Sequence, residues 1–317
     1  MPATTAARVG GATVGVIAAT KLQAPQPRLE LVPRDALVAL SAGGPQTRLT
    51  LLSAPGGSGK TTLLTLWNAS PAEDRPFAWL SLEEADNDPV RFWACVIEAL
   101  RTLRPGAATE AEGALLSPGT SLEQVVVPLL VNDLVTWRRG VVLVLDDLHV
   151  VHDAQVHRSL AHLLDRLPPT LQLAIATRED PPLPLARLRA RGELVEIRTG
   201  HLRFSDAEAE AFLNSGLGIG LEAAEIAQIQ ERTEGWAAGL QLAGLSLRDR
   251  AERAAFLAAF SGDDSHVVEY LAGEILAGVE PQLRDYMART SILERMSAEL
   301  CEAVSRVRGA LEMRDAR

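Results

Sequence analysis

Residues 54–61 read Ala54-Pro55-Gly56-Gly57-Ser58-Gly59-Lys60-Thr61, with Thr62 next. This set of residues suits a phosphate chain. Glycines let backbone N–H groups curl around phosphate oxygens. A helix that begins at the loop's end points its positive terminus at the same oxygens. Lys60 reaches the β- and γ-phosphates as a compact charge, and the Thr61 hydroxyl is a hard oxygen ligand for Mg²⁺. The stretch fits the P-loop pattern with one small change, Ala54 in place of the first glycine. A second constellation is Asp146-Asp147, which ends the apolar run "VVLVL". A carboxylate at the C-terminal end of a parallel strand faces the ligand crevice. Asp146 is then the candidate Mg²⁺ ligand, directly or through water, and Asp147 the candidate to orient or deprotonate an attacking water. Arg178, just after "LQLAIAT", sits where a guanidinium can sense a γ-phosphate. The competing readings are a plain Gly-rich turn, a solvated acidic turn and a surface arginine. A strand before the loop and a helix after it favour the phosphate reading.

Lys21 and Lys60 are the only lysines, and all other cationic side chains except histidine are arginines. Lys60 therefore stands against a compositional bias where a compact ammonium is wanted. An Asn-Lys-x-Asp guanine reader is absent, so ATP is favoured over GTP. Other clusters resemble chemistry and fail on context. "LSAGGPQ" (40–46) looks like a transporter-ATPase signature but is interrupted and precedes the loop. His149, His152 and His157 follow the acidic pair, but no cysteine or second cluster completes a metal site. Trp236, in "EGWAAGLQL", reads on physics alone as core.

These residues need a sheet to hold them. "RLTLLSA" (48–54), "FAWLSL" (77–82), "GVVLVLDD" (140–147) and "LQLAIAT" (171–177) read as strands. Helices are expected over 60–69, 89–103, 121–138 and 154–166, with Asp86 or Asn87 capping the second. The stretch 104–119 reads as a Pro/Gly/Ala loop. Alternating strands and helices imply an α/β parallel sheet with helices on both faces. One strand, "FAWLSL", separates the loop strand from the acidic strand in the sequence, an order that matches the additional-strand division of P-loop NTPases. After 179–197 the pattern turns all-helical, opening on a Ser205–Glu208 capping box.

The bulk numbers bound the answer. The 317 residues are 47% hydrophobic and 23% charged, enough for two domains. A net charge of −10 argues against a general nucleic-acid surface. Cys95 and Cys301 have no metal-ligand spacing and fit a reducing cytoplasm. Residues 1–18 read as a flexible leader, not a signal peptide. No apolar run is long enough to span a bilayer, so no membrane partner is expected.

The ordered stretches "ATKLQAPQPRLELVPRDAL", "SAPGGSGKTTLLTLW", "FAWLSLEEADNDPVRFW", "VVLVLDDLHVVHD", "IATREDPPLPLARLRARGEL", "RFSDAEAEAFL" and "ERTEGWAAGLQLAGLSLRD" resemble the signal-transduction ATPases with numerous domains. Among these, the chain is similar to the large LuxR-family transcription regulators of the maltose-activator type. The resemblance implies a P-loop ATP-binding domain over 19–200, a helical lid over 201–260, and over 261–317 the start of a truncated winged-helix-like region. It implies that Arg34 lies near base and ribose, and that Gly235-Trp236 lies where the lid closes over the nucleotide. It implies ATP, ADP and Mg²⁺ as ligands, slow hydrolysis used as a timer, and self-association of the ATP-bound form. DNA and inducer would be engaged only through C-terminal domains absent from this chain. Two rivals stay open: a P-loop small-molecule kinase, with "RLRARG" (187–192) as a lid, and a stand-alone mechanical ATPase.

Overall fold

The computed structural model describes residues 15–26, 31–248, 281–291, 293 and 298–305. Most of the expected leader and most of 261–317 lie outside the described residues. The chain divides into two units, Met1–Asp249 and Arg250–Arg317.

The first unit is built on five parallel strands: β1 (Leu49–Ser53), β2 (Phe77–Ser81), β3 (Val141–Asp146), β4 (Leu171–Thr177) and β5 (Leu194–Arg198). Their order is β2-β3-β4-β1-β5. β4 thus lies between the strand that carries the loop and the strand that carries the acidic pair, which is the additional-strand arrangement; "FAWLSL" (β2), the strand that separates them in the sequence, lies at the sheet edge beside β3. Side chains alternate between two cores with the period of two that a strand imposes. On one face Leu49, Leu51, Leu80, Leu143, Leu145, Leu173 and Ile175 pack against α3 (Pro89–Arg101), α4 (Thr109–Leu115), α5 (Val127–Val135) and α6 (Ala154–Asp165). On the other, Leu52, Trp79, Val142, Val144, Ala174, Ala176 and Ile197 pack against α1 (Asp35–Ala42), α2 (Lys60–Asn68) and α8 (Thr199–Leu202). The central strands are buried on both faces, which is why they read as unbroken apolar runs.

Several expectations need correction. Asp88 caps α3, accepting the Arg91 N–H at 2.7 Å with Pro89 in the first turn. Asp86 is instead fully buried, paired with Lys21 and Arg91 and accepting from the Cys95 thiol. The helix expected over 121–138 begins as a wider turn, Leu122–Val126, with Val126 N–H reaching back to Ser121 O, before α5 takes over. Pro128 lacks the N–H that a regular helix would use there. The stretch 104–119 contains α4, whose Ala111 and Leu115 are buried. The segment after Thr177 contains α7 (Leu185–Ala190) and the edge strand β5.

From α8 onward the unit is helical: α9 (Asp206–Glu210), α10 (Ala223–Thr233) and α11 (Ala237–Arg248). The capping box before α9 is formed, with Ser205 and Glu208 satisfying each other's backbone N–H groups. The second unit contributes α12 (Pro281–Thr290) and α13 (Ala298–Ser305) to the described residues.

Candidate nucleotide site

The loop between β1 and α2 curls because Gly57 and Gly59 take φ of 69° and 85°, a region open to glycine without strain. α2 then starts at Lys60, so its N-terminus opens into the loop. Lys60 is 7% exposed, and its ammonium donates to the carbonyls of Ala54 (2.7 Å) and Pro55 (3.0 Å). The Thr61 hydroxyl donates to Asp146 Oδ1 at 3.0 Å. A hydroxyl and a carboxylate side by side are the hard oxygen pair that Mg²⁺ favours. Burial, and then the neighbouring Asp147 charge, push Asp146 up to about 7, against the Thr61 hydrogen bond and the Lys60 charge. A cation beside Asp146 would relieve that cost. These residues fit a nucleotide–Mg²⁺ group.

Asp147 follows β3 in a left-handed conformation, φ 62°. Aspartate tolerates this region better than most residues. The turn frees its carboxylate from the sheet and leaves it half exposed. His149 Nδ1 lies 3.8 Å from Asp147 Oδ1. Burial pulls the His149 pKa down, the Asp147 charge opposes this, and the Arg178 and Lys60 charges add to the fall. Asp147, His149, Arg178 and Lys60 therefore share one electrostatic neighbourhood. The histidine was passed over in the sequence for want of metal partners; its spacing of two residues from Asp147 was the available signal. A cavity of about 220 Å³ opens beside it, lined by His149, His152, His157, Thr177 and Glu179. Among the described residues no group of three His, Cys, Asp or Glu side chains is placed to hold a metal ion.

The helical part of the unit meets the loop directly. The Trp236 indole N–H donates to Gly56 O at 3.1 Å, and Ala238 N–H donates to Gly57 O at 3.0 Å. Trp236 is thus half-buried on the loop and not a core residue. A cavity of about 270 Å³ opens beside the loop and α2, lined by Gly59, Thr61, Thr62, Phe204, Phe212 and Ala237 among others. Arg34 also borders it, but its guanidinium is bound to Glu208 and to the carbonyls of His201, Leu202 and Arg203. Of the arginines in 187–192, Arg187 pairs with Asp165 and Arg189 with Glu196, while Leu185 and Leu188 are buried. α7 is an element packed on the sheet unit.

Sheet order, glycine loop and acidic strand end define a P-loop NTPase of the additional-strand type. Residues 272–316 match the MalT winged helix domain. The chain is 34% identical over 288 residues to the serine/threonine-protein kinase PknK of Mycobacterium tuberculosis, covering 90% of this chain and 26% of that protein. It is 33% identical over 288 residues to the HTH-type transcriptional regulator MalT of Serratia proteamaculans, covering 89% of this chain and 31% of that protein. It thus spans about a quarter to a third of the curated relatives it matches. A solved signal-transduction ATPase with numerous domains and a tetratricopeptide repeat sensor, from Pyrococcus horikoshii, superimposes with a TM-score of 0.53 at 14% identity, over 88% of this chain and 37% of that one. The chain is thus similar to part of the MalT-type regulators and of PknK, and it shares its fold with a solved signal-transduction ATPase with numerous domains.

Proposed function

We propose that this chain is the ATP-binding switch module of a MalT-like regulator, working in the cytoplasm. The observation that carries the reading is the double grip of Trp236 and Ala238 on the carbonyls of Gly56 and Gly57. It couples a helical lid to the loop that would hold phosphates. In this reading residues 54–62 bind the phosphate chain, with Lys60 leaving the Ala54 and Pro55 carbonyls for the β- and γ-oxygens. Thr61 and Asp146 would hold Mg²⁺, which supplies charge neutralisation at the phosphates. Asp147 takes a proton from the attacking water, His149 orients Asp147, and Arg178 senses the γ-phosphate. Hydrolysis is slow and returns an ATP-bound, self-associating form to an ADP-bound resting form. Residues 19–200 act as the nucleotide domain, 201–260 as the lid, and the region from 261 as winged-helix-like. The pairing of Arg187 and Arg189 with acidic neighbours favours a switch over a kinase with an arginine lid.

Calorimetry with ATP and ADP tests the site. Lys60→Ala is expected to weaken binding of both by more than about tenfold, since a charge-assisted contact to phosphate is lost. Unchanged affinity would refute the assignment.

A further inference from the structure

Arg34 borders the 270 Å³ cavity, where a nucleotide contact was expected of it. Its side chain is 8% exposed, and five acceptor atoms surround the guanidinium, all from residues 201–208. Glu208 takes two of the contacts, at 2.8 and 3.3 Å. The carbonyls of Leu202 (2.8 Å), Arg203 (2.9 Å) and His201 (3.3 Å) take the rest. A planar fork of five N–H donors matches such a ring of acceptors, and an ammonium does not. The guanidinium carbon also lies 4.9 Å from the centre of the Phe204 ring, which meets Phe212 edge-to-face at 5.7 Å. Both rings line the cavity, as do Thr62 and Leu66 of α2.

The contact does not end at the ring. Phe204 N–H donates to Gly235 O at 2.8 Å, and the Gln230 side-chain amide donates to Phe204 O. The next residue, Trp236, holds Gly56 of the loop. A continuous set of bonds thus runs from Arg34 through Phe204 and Gly235 to the phosphate loop.

Resting on the nucleotide reading above, we propose that Arg34 is a positioning residue that touches no part of the nucleotide: acting through Glu208 and Phe204, it sets the aromatic wall on which the purine of a nucleoside triphosphate packs. The wall is apolar, so it gains from a flat base and is indifferent to phosphates alone. Glu208 is the residue through which Arg34 acts, so the two should behave as one unit.

The test compares ATP with inorganic tripolyphosphate, each with Mg²⁺, by calorimetry on Arg34→Ala, Glu208→Gln and the double variant. Arg34→Ala and Glu208→Gln should each weaken ATP binding by about tenfold. The double variant should lose little more than either single change, with tripolyphosphate affinity within about twofold throughout. Retained tripolyphosphate binding also shows that each variant is folded. Arg34→Lys should behave as Arg34→Ala, because an ammonium cannot reproduce the fork. If Glu208→Gln binds ATP like the unmodified chain while Arg34→Ala does not, Arg34 contacts nucleotide itself and the proposal fails. Equal losses for ATP and tripolyphosphate would also overturn it. An unmodified chain that binds neither ligand would overturn the nucleotide reading as well.

Discussion

Asp146 and Asp147 are adjacent, yet the fold gives them different surroundings. Asp146 is 3% exposed and hydrogen-bonded to Thr61, while Asp147 is turned out by a left-handed backbone and half exposed. Opposite outcomes follow on substitution. Asp147→Asn should leave ATP binding intact and slow turnover by about a hundredfold, because an amide takes no proton from water; single-turnover hydrolysis read against equilibrium binding checks this. Asp146→Asn should abolish the gain in ATP affinity that Mg²⁺ gives the unmodified chain. A second carboxylate reports on acid stability. Burial works to raise the Glu73 pKa, but hydrogen bonds from Arg75 and Trp67 outweigh it and bring it down to about 2 from 4.5. A carboxylate held low in the fold stabilises it above the unfolded pKa, and that stability is lost as pH falls through the folded value. The unmodified chain should therefore lose stability between about pH 4.5 and 2 more steeply than Glu73→Gln, as followed by acid denaturation.

At the scale of elements, two small features fix the helical part of the first unit. Ser205 caps α9 in a reciprocal box with Glu208, so Ser205→Ala should cost about 1 kcal/mol in denaturant unfolding. Gly235 takes φ 72°, and a Cβ there would lie 2.6 Å from Phe204 O. Gly235→Ala adds backbone strain to that clash and should cost about 2 kcal/mol or more on the same measurement. The three central strands β1, β3 and β4 and the helix after the loop were legible in the sequence, because burial on both faces leaves an unbroken apolar run; β2, at the sheet edge, was legible through its three buried middle residues. β5 was not. It has five residues, sits at the sheet edge, and buries only Ile197, so Glu196 and Arg198 mask it. α4 was hidden by Pro105, Gly106 and Gly113, and a bidentate Arg101–Glu112 pair across the chain helps to hold it. In the site, the loop and acidic pair announce themselves by composition. The work of Trp236 and Arg34 depends on contacts 180 and 174 residues apart, which no local pattern encodes.

For the molecule as a whole, the proposed function makes nucleotide state a property of the entire first unit, because its helical part grips the glycine loop through Trp236 and Ala238. The chain should elute earlier from a sizing column with Mg²⁺ and a non-hydrolysable ATP analogue than with ADP; identical elution in both would count against a nucleotide-gated oligomer. With a net charge of −10 it should show no sequence-selective DNA binding at physiological salt. No helix among the described residues is long and apolar enough to cross a membrane. The arginine bias has one more result. The chain's two lysines, Lys21 and Lys60, are 8% and 7% exposed, one closed into the Asp86 cluster and the other folded onto the loop carbonyls. An amine-acylating reagent therefore finds no exposed lysine among these 317 residues. Under slow labelling, modification of Lys60 becomes a footprint of loop opening, with Lys21 as an internal standard that nucleotide should leave untouched.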